Sequence, residues 1–203
     1  MLLVLSLLIS YLIGSMPTSY ILGKAMRGID IRQFGSGNVG ATNVYRVVGK
    51  LPGILVLIID IAKGLICVTL IANLCLRLGI SINPENYRLA LGLAAVIGHD
   101  WTVFLKFKGG KGVATSSGVL IGIAPKIFLL GLLIWICVFL WKRYVSLASI
   151  TSVVSVPIFF SILSYPVSYV IFSSCICAIT VYKHLPNVKR LVRGEENKII
   201  FRK

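Results

Sequence analysis

The chain has 203 residues, of which 57% are hydrophobic and only 13% are charged. Soluble domains are roughly one-quarter charged, so this composition argues against a soluble enzyme and predicts an integral membrane protein built from helices. The formal net charge of +15 is better explained by basic residues on the inner side of a membrane than by nucleic acid, and we expect no nucleic-acid partner.

Apolar segments of roughly 20 residues, the length that spans a bilayer, follow one another along the chain. The first has no basic residue before it, whereas Lys24 and Arg27 follow it. This order favours an uncleaved first helix with its N-terminus outside the cell. The clear segments are 2–23, 51–73, 87–105, 145–163 and 165–182.

Residues 112–142 allow two interpretations. One long helix would place Lys106 and Lys111 on the side of the membrane opposite Lys142. Two helices, broken near Pro125, would place all of these lysines on one side, and the first helix would be short, at about 11 residues. The distribution of charge favours two helices, although the sequence leaves both readings open.

The expected fold is an all-α bundle of about seven transmembrane helices, one of them short. We treat residues 1–203 as one transmembrane domain with the N-terminus outside and the C-terminus in the cytoplasm. Arg77, Arg88 and Lys126 then lie outside and Lys63 lies within the second span. The remaining basic residues, including Arg202 and Lys203, lie on the cytoplasmic side. The cytoplasmic segments fall near 28–50, 98–115, 142–149 and 182–203.

A glycine-rich motif occupies residues 35–46 and reads GSGNVGATNVYR. It lacks the strand that a dinucleotide-binding fold needs and the lysine of a nucleotide-binding P-loop, so both classes are excluded. A glycine loop before a short helix, here Ala41 to Val48, favours an anion. Ser36, Asn38 and Asn43 add neutral hydrogen-bonding groups, and Arg46 can bind a phosphate through two bonds. The alternative is a tight turn between helices.

A second motif follows the third span and reads KFKGGKGVAT at residues 106–115. Its glycines open the short helix at Val113, and Lys108 and Lys111 supply positive charge, so it is also a candidate anion site. The alternative is a set of lysines that anchor the chain at the membrane surface. Two such motifs in one membrane protein indicate a site for phosphorylated molecules at the bilayer surface.

His99 ends the third span at the same predicted face. Histidine can accept a proton near neutral pH, although a structural histidine is an equal alternative. Asp100 is its neighbour, but adjacent residues rarely face each other on a helix, so we treat Asp100 as interfacial. Asp60 and Lys63 lie three residues apart within the second span, where we expect a buried ion pair or a support for the site.

Two further polar segments are predicted on the cytoplasmic side. Ser146 and Ser149 are three apart and share one face of a helix. The tail opens with YKHLPNVKRL at 182–191. Its basic residues suit anionic lipids, which leaves Asn187 unexplained. The five cysteines show no metal-ligand spacing, and we predict neither a metal site nor a cofactor.

Four segments carry a resemblance to a known family. They are GSGNVGATNVYR at 35–46, GHDWTVFLKFKGGKGVAT at 98–115, KRYVSLASI at 142–150 and YKHLPNVKRL at 182–191. Together they resemble, in order and over nearly the whole chain, the bacterial PlsY family of acyl-phosphate-dependent glycerol-3-phosphate acyltransferases. The resemblance implies a seven-helix enzyme of the bacterial inner membrane with a cytoplasmic active site.

The resemblance also implies roles for particular residues. Ser36, Arg46 and either Lys111 or Lys108 would hold the phosphate of glycerol-3-phosphate. His99, Ser149 and Asn187 would lie around the reacting hydroxyl or help to hold the substrate. The complete set of expected site residues is His99, Ser149, Asn187 and Lys111 as catalytic residues, and Ser36, Gly37, Asn38, Asn43, Arg46, Lys108, Gly109, Gly110, Gly112 and Ser146 as binding residues, with the glycine loops holding the acyl-phosphate head group.

The chemistry of an acyl phosphate fits this expectation. It carries a good leaving group, so no nucleophilic residue of the enzyme is required, and two anion sites at one face bring the substrates together. We expect acyl transfer to the 1-hydroxyl of glycerol-3-phosphate, giving lysophosphatidic acid. The expected partners are the two substrates, the bilayer and a soluble enzyme that makes acyl phosphate. The alternative function is transport of an organic phosphate.

Overall fold

The structure is a computed structural model and describes residues 1–199. Arg202 and Lys203, which we predicted on the cytoplasmic side, lie outside the described residues. The chain divides into two compact units, Met1–Ile123 and Ala124–Lys203. The single domain over 1–203 stays a prediction, and each unit is described by itself.

The first unit is built from seven α-helices. Its helices are α1 (Leu2–Ser15), α2 (Thr18–Arg27), α3 (Ala41–Val47), α4 (Lys50–Ile66), α5 (Ala72–Arg77), α6 (Pro84–Asp100) and α7 (Val113–Ile123). Single turns of 3-10 helix lie at Ile31–Gln33 and Val103–Leu105. The predicted third span, 87–105, therefore starts three residues earlier than expected and ends as an α-helix at Asp100.

The predicted first span is interrupted between α1 and α2. Met16 leaves the helical region, because a residue that precedes proline is pushed towards extended conformations. Its carbonyl oxygen accepts a bond from the Thr18 amide at 2.9 Å, and α2 starts there. This break was not predicted, and it leaves the carbonyl group of Met16 in contact with α4, where Lys63 Nζ donates to it.

The predicted second span, 51–73, is longer than expected and is not a regular helix throughout. A π-helical turn, Cys67–Ile71, joins α4 to α5. Such turns leave carbonyl groups that need other partners. Arg88 from α6 supplies one, since its Nη1 donates to the carbonyl oxygen of Val68 at 2.6 Å and its Nη2 to the Asn73 side chain at 2.6 Å.

Small residues allow the helices of the first unit to approach closely. The principal pairs are α1 with α6 and α4 with α7. A β-carbon on Gly118 in α7 would lie 1.8 Å from the carbonyl oxygen of Ile61 in α4, so only glycine permits this contact. Close backbone packing of this kind is characteristic of membrane helices, where lipid gives no hydrophobic drive for association.

The ambiguous region 112–142 forms two helices, as the distribution of charge predicted. The first, α7, has 11 residues, and the second, α8 (Pro125–Lys142), begins directly after Ala124. Ala124 is not helical because it precedes a proline, which in turn is well suited to the first position of α8.

In the part of the second unit that the structure describes, α8 is followed by three more helices. They are α9 (Val145–Ile162), α10 (Val167–Lys183) and α11 (Leu185–Val192). The helix α9 packs against both α8 and α10. Phe160, Tyr165 and Tyr169 form an aromatic cluster near the turn between α9 and α10, with ring centroids 5.0 to 5.6 Å apart.

Within the part of the chain that the structure describes, five helical segments are long and apolar enough to cross a membrane. They are Leu2–Arg27, Lys50–Arg77, Pro84–Leu105, Pro125–Lys142 and Val145–Ile162. A sixth is present if α10 and α11, which are bent by 56°, count as one span, and α7 is a shorter apolar helix. An all-helical membrane protein is confirmed, whereas the number of seven spans and their orientation stay predictions.

Candidate active site

The first glycine-rich motif is a loop held together by the buried side chain of Asn43. Its Oδ1 accepts a hydrogen bond from the Ser36 amide at 2.9 Å. Its Nδ2 donates to the carbonyl oxygens of Ile31, Phe34 and Asn38 at 3.2, 3.0 and 3.1 Å. All of these bonds reach the backbone of the loop, so the amide that we predicted to bind substrate serves to fix the shape of the loop.

The side chains of Ser36, Tyr45 and Arg46 in this motif are exposed to solvent. Gly37 lies between Ser36 and Asn38 with a left-handed backbone, φ +69°. The predicted short helix from Ala41 is confirmed as α3, and Arg46 lies in its last turn. The motif thus presents the hydroxyl of Ser36 on a loop whose backbone is fixed by Asn43, and the guanidinium of Arg46 on the helix that follows the loop.

The second motif folds back over the end of α6. The Gly110 amide donates to the carbonyl oxygen of His99 at 3.0 Å, and the Gly109 amide donates to that of Asp100 at 3.2 Å. A β-carbon on Gly110 would lie 2.1 Å from Nε2 of His99. Only glycine therefore allows the loop to lie directly against the imidazole ring.

Asp100 does not occupy the interfacial position that we expected, since it is fully buried. A β-carbon on Gly112 would lie 3.1 and 3.2 Å from its two carboxylate oxygens, which places the Asp100 side chain beneath the glycine loop. The helix α7 starts directly after Gly112, as predicted. Lys108 is exposed, and Lys111 is half-buried.

A small recess in the first unit brings the two motifs together with the break in the first span. His99 comes from the last turn of α6, Gly109 and Gly110 come from the second motif, and Val39 comes from the first. The break between α1 and α2 and the helix α4 complete the recess. Its remaining lining residues are Ser15, Met16, Pro17, Thr18, Asp60, Lys63 and Thr102.

The predicted ion pair of α4 is present and lines this recess. Lys63 Nζ lies 2.6 Å from Asp60 Oδ1, and both residues are 2% exposed. Thr18 donates to the same carboxylate oxygen at 3.1 Å. His99 Nδ1 lies 3.9 Å from that oxygen. Sequence reasoning paired Asp60 with Lys63 but did not connect either residue with His99.

In the second unit, two predicted site residues bind a carboxylate that we did not predict. Ser146 Oγ donates to Glu196 Oε1 at 2.7 Å, and Asn187 Nδ2 donates to the same oxygen at 2.7 Å. Arg190 Nε donates to Glu196 Oε2, also at 2.7 Å. The only hint in the sequence was the pair of acidic residues Glu195 and Glu196 within a strongly basic tail, and nothing in their spacing connects either one with Ser146.

The environment of Glu196 favours its ionised form. Burial by itself would raise the pKa of this carboxyl group, but the bonds from Asn187, Ser146 and Arg190 outweigh burial. The pKa of Glu196 therefore lies below its ordinary value of 4.5. At neutral pH, Glu196 is a fixed negative charge that orients the amide of Asn187 and the hydroxyl of Ser146.

Ser149 shares α9 with Ser146 but contacts a different partner. Its hydroxyl accepts a bond from Trp135 Nε1 of α8 at 3.1 Å, and the residue is buried. The position of Ser149 is thus at the packing surface between α8 and α9, and sequence reasoning gave no sign of the tryptophan.

A sequence model of the family described as Glycerol-3-phosphate acyltransferase matches residues 4–194 of the chain. The chain belongs to this family. The resemblance to the PlsY family seen in the four motifs is therefore confirmed across nearly the whole sequence.

Curated relatives in the glycerol-3-phosphate acyltransferase family match the chain over almost their full lengths. The relative from Geotalea daltonii is 48% identical, and the alignment covers 93% of each chain. The relative from Desulforamulus reducens is 43% identical over 94% of this chain and 92% of its own. The relative from Aquifex aeolicus is 42% identical over 93% of this chain and 95% of its own. All three carry the name glycerol-3-phosphate acyltransferase.

Two solved structures of the PlsY family have the same fold. Both are crystal structures of PlsY (YgiH), described as an integral membrane glycerol 3-phosphate acyltransferase, and both are 40% identical to this chain over 98% of its length. The glycerol 3-phosphate form superposes with a TM-score of 0.88, and the superposition covers 96% of its chain. The lysophosphatidic acid form superposes with a TM-score of 0.85, and the superposition covers 95% of its chain.

Proposed function

We propose that the chain transfers a fatty acyl group from acyl phosphate to the 1-hydroxyl of glycerol-3-phosphate, giving lysophosphatidic acid and inorganic phosphate. The observation that carries this proposal is the recess of the first unit, where His99 meets Gly109 and Gly110 of the second motif and Val39 of the first, within a membrane protein of the acyltransferase family. The glycerol 3-phosphate and lysophosphatidic acid forms of the related PlsY structures support the acceptor and the product.

The phosphate of glycerol-3-phosphate is assigned to cationic and hydroxyl groups of the two motifs. Ser36 is exposed on the loop fixed by Asn43, Arg46 is exposed in the last turn of α3, and Lys108 and Lys111 lie within the second motif. A guanidinium can form two parallel bonds to one phosphate, and lysines neutralise the remaining charge. The glycine loops receive the head group of the acyl phosphate.

Acyl transfer then proceeds directly between the two substrates. The 1-hydroxyl oxygen attacks the carbonyl carbon of the acyl phosphate, the bond from that carbon to the phosphate oxygen breaks, and phosphate leaves with the bonding electrons. The hydroxyl proton passes to His99 or to the departing phosphate. No covalent intermediate on the enzyme is needed, because holding two phosphorylated reactants side by side supplies much of the rate increase.

For the second unit we assign Asn187 and Ser146 to binding substrate together with Glu196, whose charge orients both side chains. Ser149 was expected near the reacting hydroxyl. Its bond to Trp135 instead supports a role in holding α9 against α8. Ser149 lies one turn after Ser146 on α9.

The orientation in the bacterial inner membrane follows from charge. Seven spans, with α7 as the short one, place the N-terminus outside and the two glycine-rich motifs in the cytoplasm. The acyl chain of the donor then lies in the bilayer while its phosphate reaches the cytoplasmic face. A soluble enzyme that makes acyl phosphate is the natural supplier on that side.

The test uses the purified chain in detergent or lipid with radiolabelled glycerol-3-phosphate. Long-chain acyl phosphate, acyl-CoA and acyl carrier protein are offered separately. We expect labelled lysophosphatidic acid from acyl phosphate alone. Product from acyl-CoA alone would overturn the assignment of the donor. No product from any donor would overturn the enzyme and favour transport of an organic phosphate, which flux into sealed vesicles would detect.

A further inference from the structure

The ion pair Asp60–Lys63 has no part in the proposed binding of either substrate, yet it is among the most deeply buried charged groups in the described chain. Both residues are 2% exposed. Charged side chains inside a membrane protein are costly, and they persist when they are paired and serve a function. A pair on α4 that served packing alone would be equally well replaced by apolar side chains.

Both charges are fixed by the unexpected break in the first span. Lys63 Nζ donates to the carbonyl oxygen of Met16 at 2.5 Å as well as to Asp60. Thr18, the first residue of α2, donates to Asp60 Oδ1 at 3.1 Å. Three elements, α1, α2 and α4, therefore hold the Asp60 carboxylate in one place.

The fixed carboxylate faces one ring nitrogen of His99. Nδ1 lies 3.9 Å from Asp60 Oδ1, which is longer than a direct hydrogen bond but close enough for the carboxylate oxygen to favour an N–H group on that side of the ring. On the other side of the ring, Nε2 faces Gly110, where a β-carbon would lie 2.1 Å away. The imidazole is thus held between a negative charge and the second glycine loop.

We propose that Asp60 is a positioning residue that acts through His99. Its charge favours the imidazole tautomer with the proton on Nδ1, which leaves the Nε2 lone pair turned towards the glycine loop of the recess. The hydrogen bond or charge at one ring nitrogen sets the state of the other, and that choice decides whether Nε2 can accept a proton. Lys63 holds the carboxylate in place through its bond to Oδ1. This inference rests on the proposed function only for its effect on rate, because the tautomer itself is independent of any substrate.

The decisive variant is Asp60→Leu/Lys63→Met, which removes both charges together and keeps similar side-chain volumes. Replacement of a buried ion pair by apolar groups is often neutral or stabilising, whereas removal of one partner leaves a buried charge unpaired. Thermal unfolding in detergent shows whether the double variant is folded. The matched control is Glu85→Gln, an exposed carboxylate in the first turn of α6, the helix that carries His99 in its last turn.

The first readout is the tautomer of His99. The chain has only two histidines, so 15N-histidine-labelled protein gives two sets of imidazole resonances, and a His184→Gln variant assigns them. We expect the Nδ1-protonated tautomer for His99 in the native chain and in the control, and a shift towards the Nε2-protonated tautomer in the double variant. An unchanged tautomer in a folded double variant would overturn the proposal.

The second readout is kinetic. We expect the double variant to lower kcat about tenfold or more while KM for glycerol-3-phosphate changes less than about twofold. In a His99→Ala background, the same double substitution should lower kcat less than about twofold, because positioning is lost once the imidazole is gone. Equal losses in both backgrounds would mean that the ion pair acts independently of His99. A native chain without product from any donor would count against the proposed function alone, since the tautomer experiment stands without it.

Discussion

Gly110 and His99 are packed so closely that a β-carbon on the glycine would lie 2.1 Å from Nε2 of the imidazole and 2.9 Å from Cδ2 and Cε1. The amide of the same glycine donates to the His99 carbonyl oxygen at 3.0 Å. Glycine therefore serves two purposes in the second motif. The motif leads into the helix α7, and its Gly110 lies against the imidazole ring that borders the recess.

Gly110→Ala should lower kcat for acyl transfer about tenfold or more, because the new methyl group must displace either the ring or the loop. Steady-state kinetics with acyl phosphate and glycerol-3-phosphate measure this loss. The control is Gly23→Ala in α2, where a β-carbon would meet its nearest neighbour at an ordinary 3.5 Å. If Gly110→Ala retained native kcat and KM, the close packing would have no bearing on the reaction.

Arg46→Lys should raise KM for glycerol-3-phosphate about tenfold and change kcat less than about threefold. A lysine keeps the charge but cannot form two parallel bonds to one phosphate. Arg46 lies exposed in the last turn of α3, so the substitution is expected to leave the fold intact. Arg77→Lys, an exposed arginine at the end of α5, serves as the control. A loss of kcat at constant KM would instead place Arg46 at the reacting atoms.

Glu196→Gln should lower the melting temperature at pH 7 by about 4 °C or more, because charged hydrogen bonds to Asn187, Ser146 and Arg190 are weakened. The pKa of Glu196 lies below its ordinary value of 4.5. The ionised carboxylate therefore stabilises the fold above that value, and its contribution is lost as pH falls through 4.5 and then through the lower folded-state pKa.

The difference in melting temperature between the native chain and Glu196→Gln should accordingly stay constant from pH 7 down to about pH 5 and shrink as pH falls from there through the folded-state pKa, which lies below 4.5. Thermal unfolding across this range measures it. Glu195→Gln provides the control, since Glu195 is the exposed neighbour in the same tail. A difference that stayed constant with pH would show that the charge of Glu196 is not what holds the cluster together.

Local patterns were sufficient for several features of this protein. The spacing of three between Asp60 and Lys63 predicted their ion pair, because residues at that spacing meet on any helix. The charge distribution together with Pro125 predicted the separation of α7 from α8. These signals depend on neighbours along the chain, so they are legible before anything is known of the packing.

Other features arise from contacts between distant segments and had no local signal. Asn43 was expected to bind substrate, yet it holds the backbone of its own loop. The bond from Ser146 to Glu196 joins residues 50 positions apart. The carboxylate of Asp60 faces His99 only because α4 and α6 pack in the same unit, around the break at Pro17.

The sequence alone determined that this is a helical membrane protein with two glycine-rich motifs at basic segments, and it determined the family through those motifs. Composition and periodicity suffice for this because a bilayer admits few solutions for a backbone that must satisfy its own hydrogen bonds. Only the tertiary structure decided which polar side chains face the recess and which ones hold the backbone. Hydrogen bonds and ion pairs form over about 3 Å, and that proximity is set by helix packing rather than by position in the chain.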